Sequence, residues 1–333
     1  MKAIVHDGYG PPEDLELRDV DTPAIDDKRV VVRVRAASLN PVDWHLMRGE
    51  PSFLRMIGGR NPKRRIPGHD VAGLVEAVGA GVTGFRPGDE VFGACSGGLA
   101  EYATAVEKRL ARKPSGLTWE QAASIPIAGC TALQAVRDHG RLRTGQHVLV
   151  NGAAGGVGTF AVQIAKALGA EVTGVCSTRN VELVRSIGAD HVIDYTVEDF
   201  TRGGRRYDLI VHLAGNRTAA EMRRVLASRG ALVVAGAGTG REDGAGGMAE
   251  VMRLMIIGQL FSRFMRQREL MFMAAVRRDD MAFLATLIEA RRLTPVIERR
   301  YSLAEAADAF RHLETGHARG KIIVTVSDPS SSS

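Results

Sequence analysis

Residues 147–170 read HVLVNGAAGGVGTFAVQIAKALGA, and this stretch decides the fold. The apolar run 147–150 is too short for a helix and contains β-branched residues, which predicts a buried strand. After the glycines, apolar residues at helical spacing lead to Gly169, which predicts a helix with a glycine C-cap. A strand, a glycine turn and a helix leave backbone N–H groups unpaired at a helix N-terminus, where the dipole favours a phosphate. The pattern therefore predicts a dinucleotide site, with the pyrophosphate held by Gly155, Gly156, Val157 and Gly158.

The composition is that of an ordinary globular protein with room for two domains. The chain has 333 residues, of which 45% are hydrophobic, and a formal net charge of +6. Because the arginines are spread along the chain, with no basic run interleaved with aromatic residues, we expect no nucleic-acid partner. The cysteines at 95, 130 and 176 share no C-x-x-C spacing, which argues against a disulfide framework or a structural zinc site.

Targeting and membrane signals are missing from the sequence pattern. The start, MKAIVHD, becomes charged after five residues and does not read as a signal peptide. No uninterrupted apolar stretch has the length of a membrane span. We therefore expect a cytoplasmic protein with no membrane partner.

The chain divides into segments of different pattern, which together predict an α/β protein. Residues 1–125 alternate as strands do, for example at 30–35 and 71–78. Strands and helices then alternate, which predicts a parallel sheet with helices on both faces. The predicted domains are residues 1–125, completed by a strand–helix–strand segment at 296–326, and residues 126–295. Residues 327–333 are expected to be a disordered tail.

A methionine-rich segment at 248–273 is harder to interpret. It carries six methionines, together with apolar residues at helical spacing. Methionines of this kind most often fill irregular core space. A wall of the substrate pocket or a subunit contact is the alternative.

Several motifs give the chain a family resemblance. They are ASLNPVD (37–43), IPGHD (66–70), RPGDEVF (86–92), GAAGGVG (152–158), GADHVIDY (188–195) and ARGK (318–321). In combination, the chain resembles the medium-chain dehydrogenase/reductase superfamily, and within it the zinc-independent quinone oxidoreductase branch. The resemblance implies a GroES-like, mostly β catalytic domain and a Rossmann domain with a doubly wound parallel sheet.

The resemblance raises the question of catalytic zinc. Zinc-dependent relatives hold the metal with a cysteine, a histidine and a third ligand, and leave one position open for the substrate. Asn40 stands at the position of that cysteine and His69 at that of the histidine, while no metal-binding side chain lies near Ile127. An amide is a poor zinc ligand and one histidine cannot hold the ion, so we expect no metal. We expect His69 to be hydrogen-bonded near the cleft.

The end of the second predicted strand of the Rossmann domain indicates which dinucleotide is bound. NAD-binding units carry an acidic residue there, which binds the ribose hydroxyls. This strand ends VCSTR (175–179), where Ser177 can donate a hydrogen bond to a 2′-phosphate and Arg179 can pair with it. The resemblance adds Tyr195 to the same pocket. We therefore predict NADP(H) as the cofactor.

Without a metal, the site suits acceptors that delocalise the negative charge left by hydride transfer. Quinones and α,β-unsaturated carbonyls are such acceptors. By resemblance, Asn40 would bond near the nicotinamide ribose and the substrate oxygen. The other cofactor-binding candidates implied by the resemblance are Thr131, Leu213, Ala214, Gly236, Ala237 and Lys321.

The proton donor, the substrate and the assembly stay open at this point. His45 stands where quinone oxidoreductases commonly carry a tyrosine, so its imidazole could protonate the acceptor, although water could do so equally well. The alternatives to a quinone or enone reductase are an alcohol or aldehyde dehydrogenase and a non-catalytic NADPH-binding interaction protein. The family resemblance favours a homodimer joined through the edge strand near residues 270–276.

Overall fold

The computed structural model describes residues 1–51, 55, 65–235 and 267–326. The chain forms two compact units. Unit 1 comprises the described residues within Met1–Cys130, Val276–Glu289 and Pro295–Ser333. Unit 2 comprises the described residues within Thr131–Ala275 and Ala290–Thr294.

The strands of the described residues, in chain order, are β1 (Lys2–Val5), β2 (Glu16–Asp19), β3 (Arg29–Leu39), β4 (Asp70–Val78), β5 (Glu90–Ala94), β6 (Tyr102–Val106), β7 (Leu110–Arg112), β8 (His147–Asn151), β9 (Glu171–Cys176), β10 (His191–Asp194), β11 (Tyr207–His212), β12 (Leu226–Ala235), β13 (Arg268–Phe272), β14 (Ile297–Ser302) and β15 (Lys321–Thr325). The α-helices are α1 (Pro41–Arg48), α2 (Trp119–Ala123), α3 (Pro126–Leu133), α4 (Gly156–Ala167), α5 (Val181–Ser186), α6 (Ala219–Val225), α7 (Arg278–Glu289) and α8 (Ala306–Glu314).

Unit 1 is built on a sheet in which β3 is the central strand. The sheet has the order β14-β15-β3-β4-β5-β7, and β6 also pairs with β3. β3 buries Val30, Val32 and Val34, because every second side chain of a strand faces the same side. The C-terminal strand β15 pairs antiparallel with β3, which places this strand in the sheet of unit 1.

Unit 2 contains a six-stranded parallel sheet in the order β10-β9-β8-β11-β12-β13. Numbered along the chain this is the order 3-2-1-4-5-6, the doubly wound arrangement of dinucleotide-binding domains. The predicted Rossmann topology is therefore confirmed. β12 begins at Leu226 and pairs in parallel with β11, with a register shift between Tyr207 and Leu209.

Local sequence signals account for several helix ends. Thr118 caps α2, its hydroxyl accepting a hydrogen bond from the Gln121 N–H, as the sequence predicts. Gly169 and Gly188 follow the helices α4 and α5 with φ of +83° and +102°, the left-handed region that favours glycine. One domain boundary differs between sequence and structure. The sequence predicts α7 as part of the Rossmann domain, whereas in the structure this helix belongs to unit 1.

Some predictions fall on residues that the structure does not describe. Gly236, Ala237, most of the methionine-rich segment 248–273 and the tail 327–333 lie outside the described residues. Among the helices that the structure does describe, none has the length and apolar character to cross a membrane.

Candidate functional site

The glycine turn of unit 2 leads from β8 into α4. Gly152 follows the strand with φ of +93°, and Gly155 is the N-cap of α4. The first intrahelical bond runs from the Thr159 N–H to the Gly155 carbonyl over 2.9 Å. The amides of residues 156–158 precede this bond, and such first-turn amides have no intrahelical acceptor. They form an anion site at a helix N-terminus.

The turn is tight enough that only glycine fits at one of its positions. A Cβ on Gly158 would lie 2.0 Å from the Gly152 carbonyl oxygen. A Cβ on Gly155 would meet only the same oxygen at 3.5 Å, an ordinary contact. Gly158 therefore packs the helix against the turn, whereas Gly155 leaves space where a phosphate would lie. The turn fits the pyrophosphate of a dinucleotide.

The carboxyl ends of β9 and β10 bring together the residues predicted to select NADP(H). β10 pairs in parallel with β9, and the Tyr195 N–H donates to the Cys176 carbonyl over 3.0 Å. Tyr195 thus lies beside the segment that starts at Ser177 and includes Arg179. Its side chain is 40% exposed, so it is accessible to a ligand.

The same strand ends hold a carboxylate to which the sequence reasoning assigned no role. Asp194 accepts hydrogen bonds from the Thr196 N–H at 2.9 Å and the Thr196 hydroxyl at 2.7 Å. A hydrogen bond from Thr178, followed by those from Thr196, lowers the pKa of Asp194. The carboxylate is therefore ionised beside the residues that follow β9. Asp194 belongs to the quoted motif GADHVIDY, so the signal was present, but only strand pairing placed it here.

Leu213 and Ala214 lie against the glycine turn. The Leu213 N–H donates to the Asn151 carbonyl over 3.0 Å, and a Cβ on Gly152 would lie 3.3 Å from the Leu213 Cβ. This is the point where the sheet order reverses between β8 and β11, at which doubly wound folds bind ligands. The structure therefore brings the predicted nicotinamide-flanking segment to the predicted pyrophosphate turn.

A polar network that includes the buried residues Asn151 and His212 lies next to that segment. The Asn151 amide nitrogen lies 2.9 Å from Nδ1 of His212 and donates to the Asn216 side-chain oxygen at 2.9 Å. Because the amide nitrogen is a donor, Nδ1 of His212 is the acceptor. Burial lowers the pKa of His212 to about 4, so its imidazole is neutral at physiological pH. Sequence reasoning assigned no role to this network, since Asn151 is 61 positions from His212 and the three residues match no motif.

Unit 1 holds a second polar cluster, around Asn40 at the end of β3. The Asn40 amide nitrogen donates to Oδ2 of Asp70 over 2.9 Å, and its oxygen accepts from the Lys321 ammonium at 2.6 Å. Lys321 also donates to the Leu39 carbonyl at 2.9 Å and lies 3.9 Å from Asp70. Asn40, Asp70 and Lys321 are all buried. We predict from the sequence that Lys321 binds the cofactor. In the structure its ammonium is directed at Asn40, so its effect on a cofactor would pass through the Asn40 amide.

Burial shifts both charged members of this cluster towards their neutral forms. It raises the pKa of Asp70 to about 7, although Lys321, Asn40 and the Ile127 N–H act in the opposite direction. Burial also lowers the pKa of Lys321, against the attraction of Asp70 and Asp43. The two groups therefore depend on each other for their charged states.

His69 joins the cluster through Asp43. Nδ1 of His69 lies 2.5 Å from Oδ1 of Asp43, whose other oxygen accepts from the Asn40 N–H at 2.8 Å. Burial alone would lower the pKa of His69, but the hydrogen bond to Asp43 and the charges of Asp43 and Asp70 raise it. The prediction of a hydrogen-bonded histidine is confirmed.

The residues at the zinc positions do not fit a zinc ion. The side-chain oxygen of Asn40 accepts a hydrogen bond from an ammonium and its nitrogen is a donor, so a metal ion at this side chain would lie beside the positive charge of Lys321. Within the described residues, no group of three or more His, Cys, Asp and Glu side chains could hold a metal ion.

The two further predicted site residues, His45 and Thr131, lie on helices. Nδ1 of His45, on α1, is 2.8 Å from the Glu50 carbonyl. Thr131 is buried within α3.

Comparison with known proteins gives this architecture a family. The family model for the alcohol dehydrogenase GroES-like domain matches residues 26–115, and the model named zinc-binding dehydrogenase matches residues 187–324. The chain is 34% identical to a chloroplast envelope quinone oxidoreductase homolog from Arabidopsis thaliana, with 97% of this chain and 98% of the relative covered. The chain belongs to the medium-chain dehydrogenase/reductase superfamily, in its quinone oxidoreductase-like branch.

Other members of the superfamily agree with this assignment. The chain is 33% identical to an NADPH-dependent alkenal/one oxidoreductase of Arabidopsis thaliana chloroplasts, covering 97% of this chain and 79% of the relative. The solved structure of the quinone oxidoreductase from Coxiella burnetii matches with a TM-score of 0.86 at 31% identity, over 98% of this chain and 99% of that one. The superfamily is one of NAD(P)-dependent oxidoreductases, and this chain is a member of it.

Proposed function

We propose that this chain is an NADPH-dependent, zinc-independent reductase of quinones or α,β-unsaturated carbonyls. The observation that carries the proposal is the 2.6 Å hydrogen bond from the Lys321 ammonium to the Asn40 side-chain oxygen. The bond places a positive charge against the residue that stands at a zinc-ligand position in zinc-dependent relatives, and this charge would repel a metal ion there. The names of the relatives, a quinone oxidoreductase homolog and an alkenal/one oxidoreductase, support the same chemistry.

The acceptor class follows from the charge that the reaction creates. Hydride transfer leaves negative charge on the acceptor, and a site without a Lewis acid must stabilise it in another way. Quinones spread the charge over a conjugated ring, and enones over an enolate. Simple ketones and aldehydes cannot do so, which makes them the poorer substrates for this site.

The preference for NADPH is supported by the end of β9. The segment Ser177, Thr178 and Arg179 contains hydroxyl groups and a guanidinium group but no carboxylate. A 2′-phosphate there would gain charge-assisted hydrogen bonds. Asp194 on the neighbouring strand acts against the phosphate, so the preference depends on the balance of the two.

The bound cofactor supplies the hydride, and the chain supplies its position. The amides of residues 156–158 bind the pyrophosphate, while Leu213 and Ala214 flank the nicotinamide. Asn40 bonds near the nicotinamide ribose and substrate oxygen, with its amide oriented by Lys321 and Asp70. Thr131, Gly236 and Ala237 complete the cofactor contacts that we propose.

The proposal is tested by following NADPH absorbance with a panel of quinones, enones, simple aldehydes and alcohols. We expect turnover with quinones or enones, and kcat/KM at least tenfold lower with NADH. Oxidation of alcohols by a protein that carries one tightly bound zinc per chain would contradict the proposal. Tight NADPH binding without turnover of any acceptor would instead identify an interaction protein.

We also propose that the chain forms a homodimer and is cytoplasmic. β13 is at the edge of the parallel sheet and pairs only with β12 among the described strands, so it offers free backbone groups for a homodimer. Light scattering of the purified protein tests this. A cytoplasmic location stays a prediction; the two relatives from Arabidopsis thaliana named above are chloroplast proteins.

A further inference from the structure

In the Asn40 cluster, formed by Asn40, Asp43, His69, Asp70 and Lys321, the imidazole of His69 is the partly exposed side chain. The side chains of Asp43 and Asp70 are 0% exposed and that of Lys321 is 3% exposed, and Asn40 is buried as well. The His69 side chain is 36% exposed. A molecule that approaches this cluster therefore meets His69.

The bond to Asp43 uses one of the two ring nitrogens of His69. Nδ1 is directed at the fully buried carboxylate of Asp43, and a carboxylate can only accept, so Nδ1 carries the proton of that bond. Nε2 is the ring nitrogen that this bond leaves for an acceptor. Asp43 is itself held by the Asn40 N–H, so the carboxylate has a defined position from which to orient His69.

The charges around His69 favour the imidazolium. Asp43 from α1 and Asp70 from β4 stabilise the cation, whereas burial and Arg109, just before β7, oppose it. Lys321 on β15 lies 3.9 Å from Asp70 and weakens the contribution of that carboxylate. The net effect is a pKa above the ordinary value of 6.5. A raised pKa favours the imidazolium, the form that can donate a proton as a general acid.

We propose that His69, oriented by Asp43, donates the proton that the reduced acceptor takes up at its oxygen. This inference rests on the proposed reduction of quinones or enones. The N–H bond at Nε2 breaks and its electron pair stays on the ring, while an O–H bond forms on the oxyanion left by hydride addition. The neutral imidazole then takes a proton from water. Asp43 is a positioning residue in this step.

The first test measures the imidazole without any turnover. NMR follows the histidine ring protons of the cofactor-free protein from about pH 5 to 9, with His69→Asn assigning the His69 signal. We expect a midpoint above the ordinary value, falling by about one pH unit or more in Asp43→Asn. Glu171→Gln is the matched control, because it removes a carboxylate that lies 2.8 Å from His191, and we expect the His69 midpoint to stay unchanged in it. A His69 midpoint that is ordinary, or unchanged in Asp43→Asn, overturns the inference.

The second test measures the reaction. His69→Asn keeps an amide N–H for Asp43 but cannot transfer a proton, so we expect kcat to fall about 100-fold and to lose its decline at high pH. The Kd for NADPH and the Tm should stay close to those of the wild type. Loss of the high-pH decline in His45→Gln instead, or a kcat of His69→Asn within threefold of wild type, overturns the inference.

The two tests separate this inference from the proposed function. A wild-type protein that reduces no quinone or enone contradicts the proposed function and with it the proton step. A protein that reduces them equally well without His69 contradicts the inference alone. If His69→Asn fails to fold, the Asp43→Asn titration, with the His69 signal identified by its loss in His69→Gln, decides.

Discussion

The ammonium of Lys321 and the side-chain oxygen of Asn40 are 2.6 Å apart in the interior of unit 1. The contact fixes the orientation of the amide, because the oxygen must face the cation and the nitrogen then faces Asp70. Lys321, on the last strand, thus determines which way the Asn40 amide faces, although the two residues are 281 positions apart in the sequence. The relationship makes Lys321 a structural partner of the site.

Replacing Lys321 should destabilise unit 1 strongly. Lys321→Met leaves Asp70 buried without its cation, and we expect a loss of about 3 kcal/mol in the free energy of unfolding at pH 7. The folded-state pKa of Asp70, already above the ordinary 3.8, should rise further. A raised folded-state pKa of Asp70 contributes stability that is fully present below the unfolded-state pKa and is lost as pH rises through the folded-state pKa. The difference in unfolding free energy between wild type and Lys321→Met should therefore grow with pH. Urea denaturation at several pH values measures it.

The double variant Lys321→Met with Asp70→Asn is the control for that prediction. It removes both charges and leaves Asn40 free to turn its amide towards the new residue. We expect it to be more stable at pH 8 than Lys321→Met alone. Equal stability of the single and double variants would mean that the buried charge is not the cause.

Two substitutions in the glycine turn should have opposite effects on folding and binding. Gly158→Ala places a methyl group 2.0 Å from the Gly152 carbonyl oxygen, so the helix must shift, and we expect a loss of about 1–3 kcal/mol in stability. Gly155→Ala meets only an ordinary contact and should fold normally, but its methyl group occupies the proposed phosphate position. We expect a Kd for NADPH at least tenfold higher. Calorimetry and fluorescence titration compare the pair, and unchanged NADPH binding by a folded Gly155→Ala would place the pyrophosphate elsewhere.

The carboxylate of Asp194 should limit the preference for NADPH. It is ionised beside the residues that follow β9, so Asp194→Asn removes a negative charge near the proposed 2′-phosphate. We expect the ratio of kcat/KM for NADPH to that for NADH to rise by about threefold to tenfold, because the repulsion between the carboxylate and the phosphate is removed. Arg179→Ala should lower the same ratio. If both variants keep the wild-type ratio, the 2′-phosphate does not bind at these strand ends.

His212 should make unit 2 sensitive to mild acid. Its pKa is about 4 in the folded protein against an ordinary 6.5, because burial disfavours the imidazolium. A depressed folded pKa gives stability that is full above the unfolded pKa and is lost as pH falls towards the folded pKa. The free energy of unfolding should therefore decline by about 3 kcal/mol between pH 6.5 and 4 from this residue. Urea denaturation across that range should show a smaller decline for His212→Asn, whose oxygen can still accept from Asn151; an equal decline would assign the effect to other groups.

Local sequence was sufficient for the elements whose causes are local. The run 147–150, the glycines and the amphipathic segment after them predict β8, the turn and α4, and the structure has all three. Gly169 and Gly188 mark helix ends because their φ values require glycine. The alternation of strands and helices predicts the parallel sheet for the same reason, since each element is encoded by its own periodicity.

Other predictions depended on family resemblance and on residue type alone. Asn40 at a metal-ligand position argued against zinc from the chemistry of an amide. That argument could not include the Lys321 ammonium, because nothing in the sequence around Asn40 indicates that β15 pairs with β3. The domain boundary near α7 differs for a similar reason: a helical pattern does not state which sheet the helix covers.

The sequence pattern alone therefore predicted the alternating strands and helices, the glycine cradle and the strand end without an acid, because short-range periodicity and backbone geometry encode them. The Rossmann fold was implied by the family resemblance. Only the tertiary structure decided what surrounds the reactive positions. Strand pairing brought Asp194 beside Thr178, and β3, β4 and β15 brought Asn40, Asp70 and Lys321 into one buried cluster. Burial then set their charges, together with that of His69, because the cost of an ion depends on distant residues that exclude water.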